Sequence, residues 1–181
     1  MKTLVYLLLC LSLTTGFAQE KYLTKTGTLE FEASVPSFEE VAAKNTSVTA
    51  ILNADNGEFA SLALVKGFRF KNALMEEHFN ENYAESSEFP KATFKGTFKD
   101  FDKNSLSGKQ QFTIDGELIF HGVTNTLKDI PVTIEKQGDQ LVLTGSFVVL
   151  ISDYNIKIPS IVENKISKDV KVSFNFTLDK K

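Results

Sequence analysis

Cysteine is nearly absent from this chain: the single one, Cys10, lies in an apolar run near the start. Met1-Lys2, the stretch Leu4 to Leu13, and the small residues Gly16 and Ala18 around Phe17 read together as a secretory signal. Cleavage is expected after Ala18, which leaves residues 19–181 as one exported domain, periplasmic or secreted. Leu9 precedes Cys10 where lipid attachment wants a small side chain, so a lipoprotein anchor is excluded. The exported portion then holds no cysteine and no disulfide, and its stability must come from a buried core. Long hydrophobic runs are missing too. Nothing approaches the roughly 20 apolar residues of a membrane-spanning helix. Neither sign of charge dominates, with 20 Lys and Arg against 23 Asp and Glu, and the absence of a basic block argues against a nucleic-acid partner.

Catalytic equipment is equally sparse. There are two histidines, His78 and His121, with no His-Glu-x-x-His spacing, no Gly-x-Ser-x-Gly elbow and no glycine-rich phosphate loop. Glu30 and Glu32 are paired carboxylates, but both belong to the polar phase of their segment and read as a solvated face. Of two glycosylation sequons, at Asn45 and Asn175, the second falls inside an expected strand. The expectation is a protein that is not an enzyme, with no catalytic residue, no metal site and no cofactor.

Phenylalanine is what the chain has in quantity: 16 residues against no tryptophan, and only Phe17 leaves with the signal. It is distributed in register. Leu29, Phe31, Ala33 and Val35 alternate with polar residues, as do Ala92, Phe94, Gly96 and Phe98. The same holds for Phe112, Ile114, Gly116, Leu118 and Phe120, for the run from Leu141 to Ile151, and for the run from Val170 to Leu178. Side chains alternate across a strand, so each segment has one apolar face and one wet face.

Strands are expected near 24–35, 47–52, 58–65, 91–101, 109–121, 126–135, 140–151 and 169–178. Asn56-Gly57 marks a hairpin turn, and Gln137-Gly138-Asp139 another turn. Residues 72–83 break the alternation and read as an inserted amphipathic helix, capped by Asn72, with Leu74, Met75, His78 and Phe79 along one side. The fold class is therefore all-β. Gly96, Gly116 and Gly145 fall mid-strand on the inward phase, where a strongly coiled sheet or a facing phenyl ring needs room. That favours an eight-stranded antiparallel barrel over a sandwich. Such a barrel is just wide enough to be filled by its own side chains or to hold one small ligand, and composition leaves both open. The filled alternative is a structural or interaction barrel acting through its surface.

Three segments carry a family resemblance. Phe70 to Phe79 through Phe89-Pro90-Lys91-Ala92-Thr93-Phe94 is similar to a helix ending in a Phe- or Tyr-Pro-x-x-x-Phe strand entry. Gly116-Glu117-Leu118-Ile119-Phe120-His121-Gly122-Val123-Thr124 is similar to a Gly-x-Leu-x-x-x-Gly-Val-Thr signature, and Asp153-Tyr154 to a late Asp-Tyr turn. Together they resemble the YceI-like family of secreted lipocalin-like proteins, over about Thr28 to Leu178. Lys71-Asn72-Ala73 stands where many members have Arg-Asp before the helix Leu, and Ile119-Phe120-His121 replaces a Thr-Ile-Arg or Thr-Leu-Arg. The resemblance implies a barrel that binds a long isoprenoid chain, a polyisoprenoid or an isoprenoid quinone, as its apolar partner. The inward residues Phe31, Phe94, Phe98, Phe112, Ile114, Leu118, Phe120, Phe147, Val149, Phe174 and Phe176 are then the expected lining. Leu74, Met75 and Phe79 would cap it. A homodimer through a strand edge or the helix stays open.

Overall fold

The computed structural model describes residues 19–181; the expected signal segment lies outside the described residues. The alternating segments become strands β1 (Lys21–Ser34), β2 (Ala42–Asn53), β3 (Glu58–Leu64), β5 (Lys91–Phe98), β6 (Lys109–Phe120), β7 (Val123–Gln137), β8 (Gln140–Leu150) and β9 (Ile166–Lys180). A two-residue strand β4 (Arg69–Phe70) adds to β2. All pairings are antiparallel, in the order β1-β9-β8-β7-β6-β5-β3-β2-β4, and a further β1–β2 pairing closes the sheet into an eight-stranded barrel.

Turn chemistry sets the register. Gly57 (φ 72°) closes the β2–β3 hairpin, its N–H donating to Asn53 O at 2.9 Å. Between β6 and β7 the turn is only His121-Gly122, both at positive φ (50° and 72°), so Phe120 pairs with Val123. The seventh strand thus starts three residues before the expected Thr126. Histidine is among the few side chains enriched in left-handed backbone, and its ring is held here by two hydrogen bonds: Nδ1 to Tyr154 O (2.9 Å) and Nε2 to Glu85 Oε2 (2.7 Å).

The inward glycines make room for rings. A Cβ on Gly116 would stand 2.5 Å from Phe94 Cζ and 2.8 Å from Gly96 Cα; one on Gly145 would stand 2.5 Å from Phe174 Cζ. Gly116 pairs directly with Gly96, and Gly145 with Phe174. The Phe94 and Phe174 rings therefore lie back against bare backbone instead of projecting into the lumen.

The two ends differ. At one end start β1, β3, β6 and β8, and the interior is packed: Tyr22, Leu52, Leu141 and Leu178 are buried there. The exterior of this end carries an ion cluster, with Lys103 Nζ 2.5 Å from Asp55 Oδ1 and 3.2 Å from Glu20 Oε2, and Lys180 Nζ 2.7 Å from Glu20 Oε1. The opposite end is flanked by helix α1 (Ala73–His78), the β1–β2 connection and the 151–165 segment. Asn72 caps α1 as expected, its side chain accepting from Leu74 N at 2.9 Å. The α-helix is shorter than expected, because from Phe79 to Tyr83 the chain continues as a wider π turn.

Candidate functional site

Phe94 and Phe174, drawn back over their glycines, leave the upper half of the barrel hollow. The cavity is about 550 Å³, within the usual range for small-molecule sites. Its floor is made where the strands converge on the packed end. Phe98, Ile114, Leu143 and Phe176 form it, each no more than 4% exposed, with Phe59 wedged between Phe98 and Phe176 at ring-centroid distances of 6.2 and 5.8 Å. Phe94, Leu118 and Phe174 line the waist, and Phe31, Phe120, Phe147 and Val149 the upper wall.

The helix end covers one side of the mouth. Met75, His78, Phe79 and Tyr83 face the cavity, and Phe79 joins Phe31 and Phe70 at 5.2 Å each and Phe68 at 6.0 Å. This aromatic knot pins the helix to the rim. Polar clamps secure it: Glu76 accepts from Arg69 Nη1 (2.8 Å) and from Phe70 N (3.1 Å), Asn72 Nδ2 donates to Glu39 Oε1 (3.1 Å), and Lys71 pairs with Glu40.

Two expected lining residues fall elsewhere. Leu74 is 56% exposed and outside the cavity; one helical residue is about 100° of rotation, so the face that presents Met75 and Phe79 turns Leu74 away. Phe112 points inward but one alternate step below Ile114, beneath the floor, packed on Phe98 (6.2 Å) and Phe101 (5.7 Å). The other twelve residues named from the sequence line the cavity.

Sequence reasoning missed the irregular segment. Ile156, Ile158 and Val162, with Ile166 at the start of β9, line the cavity at its mouth; the apolar spacing of the first three through an otherwise polar loop was the available signal. Tyr154 also lines the cavity, yet its hydroxyl has no hydrogen-bond partner. Burial pushes this phenol up, and the nearby Asn125 amide donates instead to Asp153 O at 2.7 Å. Polar groups near the rim include Glu39, His78 and Lys165. The large apolar side chains left exposed, Phe38, Leu64, Leu74, Ile119, Val148, Leu150 and Ile161, all belong to elements at this same open end. Among the described residues no group of three or more His, Cys, Asp or Glu could hold a metal ion, and no helix is long and apolar enough to cross a membrane. Asn45, in the first sequon, is 1% exposed, its amide bound to Leu64 O.

A family model described as a YceI-like domain matches residues 20–178. No curated protein matches the sequence. Among solved structures, the chain is similar to a polyisoprenoid binding domain from Saccharophagus degradans implicated in plant cell wall breakdown, at TM-score 0.78 and 14% identity over 91% of this chain and 100% of that one. BcnA from Burkholderia cenocepacia aligns at TM-score 0.68 and 15% identity, covering 83% and 95%. The YCEI protein of Campylobacter jejuni aligns at 0.62 and 12%, covering 94% of each. At such identities these likenesses establish the fold.

Proposed function

From the premise that this chain belongs to the YceI-like family, we propose that its barrel binds an isoprenoid-type lipid, a polyisoprenoid or an isoprenoid quinone, and carries or stores it without a catalytic step. The observation that carries this reading is the phenyl-lined cavity of about 550 Å³, sealed at one end and open at the other. Burying apolar chain there stabilises the complex by about 0.8 kcal/mol per methylene. Several isoprene units outweigh the roughly 4–15 kcal/mol cost of association and ordering. The apolar side chains around the open end ease passage of a greasy chain across the rim. The similar Saccharophagus degradans domain, a polyisoprenoid binding domain, supports the same ligand class. Export to the periplasm or the medium follows from the signal read at residues 1–18, and places the carrier where a lipid must cross water between apolar compartments.

The test is extraction of the purified exported protein with organic solvent, followed by mass spectrometry, and titration of the stripped protein with prenols and isoprenoid quinones. A recovered isoprenoid and saturable micromolar or tighter binding are expected. No extractable lipid together with no binding overturns the proposal and returns the protein to the class of barrels acting through their outer face.

A further inference from the structure

A cavity sealed at one end imposes a length on any chain that enters it. The floor here is held by its neighbours: Phe101 and Phe112 back Phe98 from beneath at 5.7 and 6.2 Å, and Phe176 stacks against Phe174 of the waist at 5.4 Å with an interplanar angle of 14°. Rings packed on both sides cannot swing aside to admit more chain. From floor to rim, β5 runs from Phe98 to Ala92, about 20 Å of strand. A strand tilt of 35–45° shortens this to about 15 Å of depth. At a liquid-like share of about 30 Å³ per heavy atom, the cavity of about 550 Å³ holds roughly 18 carbons, between three and four isoprene units.

The direction of entry follows from polarity. The floor offers hydrocarbon only, where a polar head would lose its water without gaining a partner. Glu39, His78 and Lys165 stand at the mouth. Resting on the lipid-binding reading above, we infer that the barrel acts as a length gauge: it takes about four terminal isoprene units of a single chain, tail first, and leaves the head group and any further units outside the rim. Phe98 and Phe176 are the stop. Ser61, on the inward phase between the buried Phe59 and Ala63, lies part of the way up the wall and lines the lumen, so a bulky side chain there shortens the gauge without disturbing the floor.

The experiment is a binding series on the purified, stripped protein, using prenols of two, three, four, six and eight isoprene units in competition with a fluorescent apolar probe. Affinity should rise at least tenfold for each unit up to about four, and by less than threefold in total beyond that. In Ser61→Phe the break should move down to about three units, since a phenyl group fills roughly the space of one unit. Gains of tenfold per unit continuing to six and eight units overturn the gauge while leaving the lipid-binding reading in place. So does a Ser61→Phe protein, folded by near-ultraviolet circular dichroism, whose break stays at four units. Binding of no prenol at any length overturns the lipid-binding reading itself. The wild-type series decides the matter alone if the variant does not fold.

Discussion

Gly116→Ala is the sharpest probe of how this barrel stays hollow. The new methyl would sit 2.5 Å from both Lys95 O and Phe94 Cζ, and 2.8 Å from Gly96 Cα. Ordinary contact needs about 3.4 Å or more, so the Phe94 ring must retreat by about 1 Å, and the only open direction is the lumen. The backbone contact cannot relax as freely, because Lys95 pairs with Glu117 in the same ladder. Overpacking of this kind costs about 1–3 kcal/mol, which for a domain of this size lowers Tm by about 3–10 °C. The displaced ring and the methyl together remove the space of one or two methylenes, about 0.8 kcal/mol each, or a four- to fifteen-fold loss of prenol affinity. A second change, Phe94→Leu, relieves the ring clash but not the carbonyl clash. The double variant should therefore regain most of the affinity and only part of the Tm. Thermal melts and prenol titration of the three variants against wild type read both quantities. Unchanged Tm and affinity in Gly116→Ala would refute the account of why the cavity exists.

Two further outcomes are expected. Glu20 is pulled down to about 2 by hydrogen bonds from Lys180, Lys103 and Tyr22. A carboxyl depressed in the folded state stabilises it fully above about pH 4.5, and that contribution fades as pH falls through 4.5 toward 2. Because the group is partly solvated and screened, Glu20→Gln should cost only about 1 kcal/mol at pH 7, and the difference from wild type in urea melts should vanish near pH 2. A gap that persists at low pH would place the effect elsewhere. In Tyr154→Phe, deletion of an unpartnered buried hydroxyl should raise stability by about 1 kcal/mol; a clear fall in Tm would show that the hydroxyl has a partner.

The barrel was legible because alternation is a local property. Residues such as Phe94 and Phe98, or Phe174 and Phe176, share a face whatever they meet across the lumen, and the Asn56-Gly57 turn announces its hairpin. The His121-Gly122 turn was less visible, since its histidine is held by Glu85 and Tyr154, which are distant in the chain. Leu74 was misplaced because the helix has too few turns for its apolar stripe to choose between neighbouring faces. Phe112 was misplaced because alternation gives the face of a residue but not its height in the barrel.

By itself the sequence determined the all-β class, the strand faces and the helical insertion, since each depends on neighbours within a few positions. Whether the interior was solid or hollow depended on where rings from different strands come to rest. Phe98, Phe101 and Phe112 converge and fill one half, whereas Phe94 and Phe174 recline on glycines of β6 and β8 and leave the other half empty. That outcome is a matter of volumes meeting across the closed sheet, and only the tertiary structure brings those volumes together.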